Sequence, residues 1–224
     1  MLAKLGIALK DRKELAIMAQ SVASMAGCGL CGILYLMAAS AGGGDAQARL
    51  FGSSPVHKLG LELNLAYTLY ECGVYAIYGK GIEFWAHHVL GIVLLAAALV
   101  SGHGHQMIAW AGVSELTNVP LSGLDLLRAF NNKGFLYTLC GVSLWLGFVL
   151  TRVGSLLLCA IAHMHDLWEL RAATRLHELN PILRCLTLPA LLFIWSLSTF
   201  WFTKIHSGML KALRGKSGGD SKGG

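Results

Sequence analysis

The sequence predicts an all-α, polytopic transmembrane bundle of about six helices around a central polar cavity. The composition, the number of long apolar runs, and the polar residues spaced at helical intervals inside those runs all predict it. Of 224 residues, 55% are hydrophobic and 13% charged, whereas a soluble domain carries roughly 25% charged residues. Apolar runs near the ~20 residues that cross a bilayer fall at about 16–40, 58–79, 83–101, 106–127, 135–162 and 186–210.

The elements follow in order. Lys4, Lys10, Arg12 and Lys13 precede the first run, which continues to Ala41 without a convincing stop at small cleavage residues and so reads as a signal anchor. Residues 1–15 form the N-terminal segment, and 16–58 hold the first helix and a loop rich in Gly and Ser, expected to be irregular and lumenal, with Pro55 ahead of the second run. The His103-Gly104-His105 turn falls on the same side as that loop, and Lys80 and the Arg128–Lys133 turn fall on the other. The fifth run exceeds one span and contains Arg152, which predicts tilt or division into two pieces. Residues 163–184 are expected to be a loop, where Arg171, Arg175 and Arg184 are offset by Asp166, Glu169 and Glu178. After the sixth run, residues 214–224 read as a disordered basic tail. The net charge of +6 is concentrated at the ends, with Lys204, Lys211, Arg214, Lys216 and Lys222 at the C-terminal one. Both termini are therefore expected on the cytoplasmic side.

This pattern excludes nucleic acid as a partner, because the lysines flank apolar helices rather than forming a solvated patch. The six cysteines lie nearly all in apolar runs and suggest no disulfide framework. Cys28 and Cys31 have redox-motif spacing but sit mid-span, where they read as packing residues.

Ionisable residues inside membrane spans are costly and usually face the bundle interior. Glu62, Glu71, Glu83, His87, His88, Glu115, Asp125 and Arg152 are therefore the informative positions. Glu83 and His87, four apart, would share a helix face, letting the carboxylate orient the imidazole. Glu115 and Asn118 share another face, and Pro120 is expected to break the backbone hydrogen-bond ladder two residues later and free a carbonyl. Asn64, Tyr67 and Glu71 make a third polar stripe. Any of these positions could instead be interhelical glue, worth roughly 0.6 to 2 kcal/mol. Arg152 needs a counter-charge, Glu71 or Glu115, or else a position near a span end from which it can snorkel. His103, His105, His163 and His165 are expected at one membrane face, where four imidazoles would make a metal site. A haem between two facing histidines is a further alternative.

Glu83-Phe84-Trp85-Ala86-His87-His88 and Ser114-Glu115-Leu116-Thr117-Asn118-Val119-Pro120 resemble, in order and separation, the two signature segments of the TLC domain family. The aromatic-rich 67–78 stretch, Phe148 with Arg152, and Phe200-Trp201-Phe202-Thr203-Lys204-Ile205 are similar to other parts of that family, so the resemblance covers 59–213. It implies a helical bundle of the endoplasmic reticulum or a related membrane, with a cavity that admits a lipid or acyl chain. Ceramide synthases of this family transfer an acyl group from acyl-CoA to a sphingoid amine with paired histidines and downstream acidic residues. Here His87 and His88 are present, but Glu115 and Asn118 stand in the region of those acidic residues, which is closer to the family's smaller members that act in lipid homeostasis.

Two functions follow as expectations. In one, the cavity binds a membrane lipid or acyl chain through Glu71, Tyr67, Glu83, Asn118 and Arg152, with no resident cofactor. In the other, His87 or His88 is general base or nucleophile of an N-acyltransferase that uses acyl-CoA as co-substrate, with Glu83 orienting and Glu115 assisting proton transfer.

Overall fold

A computed structural model describes residues 12–41, 44–79 and 81–217. The N-terminal segment through residue 11, Lys80 and the tail beyond Ser217 lie outside the described residues. The helices are α1 (Arg12–Ala41), α2 (Ala46–Phe51), α3 (Pro55–Tyr78), α4 (Ile82–Ser101), α5 (His105–Gly112), α6 (Asn118–Ala129), α7 (Phe135–Gly147), α8 (Leu156–Ala172) and α9 (Pro181–Ser217). A 3₁₀ segment, Val113–Thr117, joins α5 to α6, and a π-helical segment, Phe148–Ser155, joins α7 to α8. No strand occurs among the described residues.

Among the described residues, four stretches are long and apolar enough to cross a membrane: Leu15–Ser40, Ile82–Ser101, Phe135–Ala172 and Pro181–Lys211. α3, with 24 residues, and the α5–α6 rod are as long, but their polar side chains keep them below that apolarity. The outer surface agrees with a lipid environment. Leu30, Ile33, Leu146, Leu150, Leu158 and Ile161 are exposed, whereas Gln106, Arg152, His163 and Asp166 are buried.

Local sequence explains the boundaries. Ser54 caps α3 by accepting from the His57 amide at 3.3 Å, and Pro55 occupies the first turn, where a missing N–H costs nothing. Gly102 and Gly104 both have φ near +70°, at +73° and +72°. In that left-handed region a side chain would be strained, so the α4–α5 reversal needs glycine twice. Pro120 does not break its rod. It sits in the first turn of α6, and the tightening to 3₁₀ geometry comes before it.

Three further expectations are corrected. The loop after α1 is not wholly irregular, because Asp45 caps α2 through the Ala48 amide (2.7 Å) and Leu50 packs against Leu170 and Leu179. Residues 163–184 are not a loop, since α8 continues to Ala172 and α9 starts at Pro181. Of the two alternatives for the fifth run, division is the one overturned, because the π-helical segment carries it past Arg152 as one rod of 38 residues.

The rods close on one another. α1 packs against α3 and α6, α3 against α4, α4 against α9, α9 against α8 and the π segment, and α7 against α6. Glycines on α1 permit close approach, with Gly27 facing the Tyr67 ring and Gly32 facing Leu116. The Tyr35 ring, fully buried, lies between Gly60 and Gly112. Cys28 and Cys31 are buried thiols in this packing.

At one end, here the α2 end, α2 is fastened over the bundle. Arg49 donates to both oxygens of Asp166 at 2.9 and 2.5 Å and also to the Gly44 carbonyl. This bidentate carboxylate raises the Arg49 pKa above its ordinary value. Arg175 bridges Glu178 and Gln47, and the Gly104 amide donates to the Leu50 carbonyl at 2.7 Å.

Candidate functional site

Between them the described rods leave a cavity of about 430 Å³, inside the 300–1,000 Å³ range of small-molecule sites. Its lining is graded. α4 contributes Phe84, His87 and His88 early and Leu94 and Leu95 late, while the antiparallel α5–α6 rod contributes Met107 and Ile108 early and Glu115, Asn118 and Asp125 late. With Glu71 and Tyr75 from the last turns of α3 and Ala190, Leu191 and Ile194 from the early turns of α9, the cavity is polar away from the α2 end and apolar toward it. From Phe84 to Leu95 along α4 is about 16 Å at ~1.5 Å per residue.

Glu71 is the hub of one polar wall. Its Oε1 accepts from the Tyr67 hydroxyl at 2.7 Å, the Tyr75 hydroxyl at 3.1 Å and Gln20 Nε2 at 3.4 Å. Its Oε2 meets His88 Nε2 at 2.9 Å. His88 Nδ1 lies 2.8 Å from the Phe84 carbonyl, which can only accept, so that nitrogen carries a proton. The Nε2–Oε2 contact then holds one further proton between imidazole and carboxylate. Both His88 nitrogens and both Glu71 oxygens are thus committed, and the pair fastens α3 to α4.

His87 differs. Its Nδ1 faces the Glu83 backbone carbonyl at 3.3 Å, which fixes the proton on Nδ1 and leaves Nε2 with a lone pair and no hydrogen-bond partner among the described residues. The ring lies on the cavity wall, 4.2 Å centroid to centroid from His88 and edge-on to Trp201 at 6.2 Å. Glu83 does not orient it through its carboxylate as expected, because that carboxylate folds back over Gly81 in the first turn of α4. The acid that faces a histidine is Glu71, on another helix, and the histidine is His88.

The opposite wall is a relay. Glu115 Oε2 accepts from Asn118 Nδ2 at 2.8 Å, and Asn118 Oδ1 accepts from Arg152 Nη2 at 3.0 Å. Arg152 Nε donates to Thr117 Oγ1 at 2.6 Å, and its guanidinium lies 5.2 Å from the Phe148 ring centre. Arg152 is 7% exposed, so it does not snorkel. Neither Glu71 nor Glu115 contacts Arg152 in an ion pair among the described residues, and Glu115 acts on it as a counter-charge only across Asn118. The wide π turn pushes Arg152 inward toward the 3₁₀ segment, and such turns recur at functional sites.

The structure therefore brings His87, His88, Glu71, Tyr67, Glu115, Asn118 and Arg152 to one cavity and leaves Glu83 at its margin. Sequence reasoning missed Tyr75, Gln20 and Thr117. Tyr75 had a signal, being four residues after Glu71, but the other two follow from interhelical packing.

The four-histidine site does not form. His105 uses both nitrogens, on Ser53 and the Ala98 carbonyl, and His103 Nδ1 accepts from the Asn180 amide at 3.3 Å. His163 is buried without a hydrogen-bond partner among the described residues. Among the described residues the only group with metal-ligand proximity is His165, Asp166 and Glu169, where Asp166 is already taken by Arg49.

A family model described as TLC domain matches residues 18–207, taking in α1 as well as both signature segments. No curated protein and no solved structure matches the chain.

Proposed function

The chain belongs to the TLC domain family, and from that premise we propose that it is a multi-pass endomembrane protein that holds a lipid in its intramembrane cavity and acts in lipid homeostasis. The single observation that supports this reading is the cavity's grading from a charged, hydrogen-bonded end to an apolar end, which is the shape of an amphiphile. Sphingolipid or membrane phospholipid is the expected class, and the endoplasmic reticulum or a related membrane the expected site. Six spans with both termini in the cytoplasm would place the α2 end in the lumen. The bound arginines there, Arg49 on Asp166 and Arg175 on Glu178, are compatible with that side. The test is extraction and mass spectrometry of lipid carried by the purified protein. About one lipid per chain is expected, and protein that carries none from native membranes would overturn the reading.

One observation favours a second reading: the unengaged Nε2 of His87 on the cavity wall. In an acyl-CoA-dependent N-acyltransferase, that nitrogen would take the proton of a sphingoid amine as the amine nitrogen bonds to the thioester carbonyl carbon. The carbon–sulfur bond then breaks, and the departing thiolate is protonated with help from Glu115. His88 is held on Glu71 and would position rather than catalyse. Incubation with long-chain acyl-CoA and sphingoid bases distinguishes the two readings. New N-acyl product that is lost in His87→Gln supports transfer, and no product from folded protein eliminates it. A haem would show in the visible spectrum, and a colourless preparation eliminates that alternative.

A further inference from the structure

We propose that the cavity takes an amphiphile whose head carries an anionic oxygen group, a carboxylate or a phosphate, received by Arg152. The inference rests on the lipid-cavity reading and adds the class of lipid to it.

The first ground is hydrogen-bond capacity. Arginine has five N–H donors, and the described structure uses two of them, on Thr117 Oγ1 and Asn118 Oδ1. The remaining donors belong to a side chain that is 7% exposed and lines the cavity. The second ground is charge. Its hydrogen-bond acceptors and the Phe148 ring are all neutral. A buried cation without a contacting anion is expensive in a membrane protein. Glu115 acts on it only at a distance, because Asn118 stands between them and donates to Glu115 while accepting from Arg152. Glu71 is committed to its tyrosines and His88. A carboxylate or phosphate fits the planar fork of a guanidinium and would supply the missing counter-charge at contact distance.

With its head at Arg152, the amphiphile's chain runs past Leu156 toward Met107, Leu191 and Leu94 at the apolar end.

The experiment uses the full chain in lipid nanodiscs and native mass spectrometry with three probes of equal chain length: myristic acid, 1-myristoyl lysophosphatidic acid and uncharged 1-monomyristoylglycerol. At least one anionic probe is expected to bind about 10- to 150-fold more tightly than the uncharged one, the range for a charge-assisted hydrogen bond. Which of the two does so identifies the head as carboxylate or phosphate. Arg152→Met should abolish the preference and Arg152→Lys should keep part of it. If Arg152→Met does not fold, the preference of the unaltered protein among the three probes still decides. Equal binding of all three overturns this inference and leaves the lipid-cavity reading standing, whereas binding of none overturns both.

Discussion

Replacing Gly91 by leucine should separate lipid binding from stability. Gly91 lies on the cavity wall of α4, one turn beyond His87 and His88, and a Cβ built there meets no atom within 4 Å. A leucine at this position therefore projects into the cavity without displacing the wall. Its four carbons, at roughly 30 Å³ per water-sized group, take up about 120 Å³. That is more than a quarter of the cavity of about 430 Å³, at the level where a chain must pass from the polar end to the apolar end. Glycine in a helix interior is less favourable than leucine by roughly 0.5–1 kcal/mol, so Gly91→Leu should melt no lower and up to about 4 °C higher than the unaltered protein. Bound lipid, quantified by extraction and mass spectrometry, should fall severalfold. Gly73→Leu is the matched control, because Gly73 is also surrounded by open space but is exposed on α3 away from the cavity. It should give the same thermal gain with unchanged lipid. A folded Gly91→Leu protein with full lipid content would refute the assignment of the chain path.

Three other perturbations test the framework. Glu71→Ala strips the acceptor from Tyr67, Tyr75 and His88. Breaking a buried charged pair costs about 3–5 kcal/mol, against about 0.6 for an average interhelical hydrogen bond, so the melting temperature should fall by roughly 6–20 °C; a fall under about 2 °C would reduce the hub to ordinary glue. Asp166→Asn leaves Arg49 half-paired at the α2 end, and hydrogen exchange across Ala46–Phe51 should rise, whereas Arg49→Met combined with Asp166→Leu should restore protection because neither charge remains. Arg175 holds the Glu178 carboxyl below its ordinary range. A depressed carboxylate contributes above its unfolded pKa, and the contribution is lost as pH falls through the folded value. Exchange in the 173–180 segment should therefore rise on acidification and stay flat in Glu178→Gln; being exposed, the effect should shrink with salt.

The sequence by itself determined the class of fold and singled out the acidic, histidine and arginine side chains that line the cavity, because both depend on properties local to each helix. Length and apolarity mark the spans, and 3.6-residue spacing puts Tyr67 with Glu71 and Glu115 with Asn118 on common faces. The same local logic misled wherever a partner comes from another helix. Glu83 and His87 share the right spacing, yet the first-turn carboxylate turns back over Gly81, and the committed pair joins Glu71 and His88 across α3 and α4. Arg152 invited a carboxylate but received an amide and a hydroxyl, since the π segment aims it at the 3₁₀ turn carrying Thr117 and Asn118. The histidines at 103, 105, 163 and 165 share a boundary only if the fifth run ends near residue 162; the continuation of α8 to Ala172 buries His163 within the bundle. Which helices are neighbours, and at what depth their side chains meet, depends on packing between segments far apart in the chain. Tertiary structure alone decided that, and with it which of the two histidines keeps a free nitrogen.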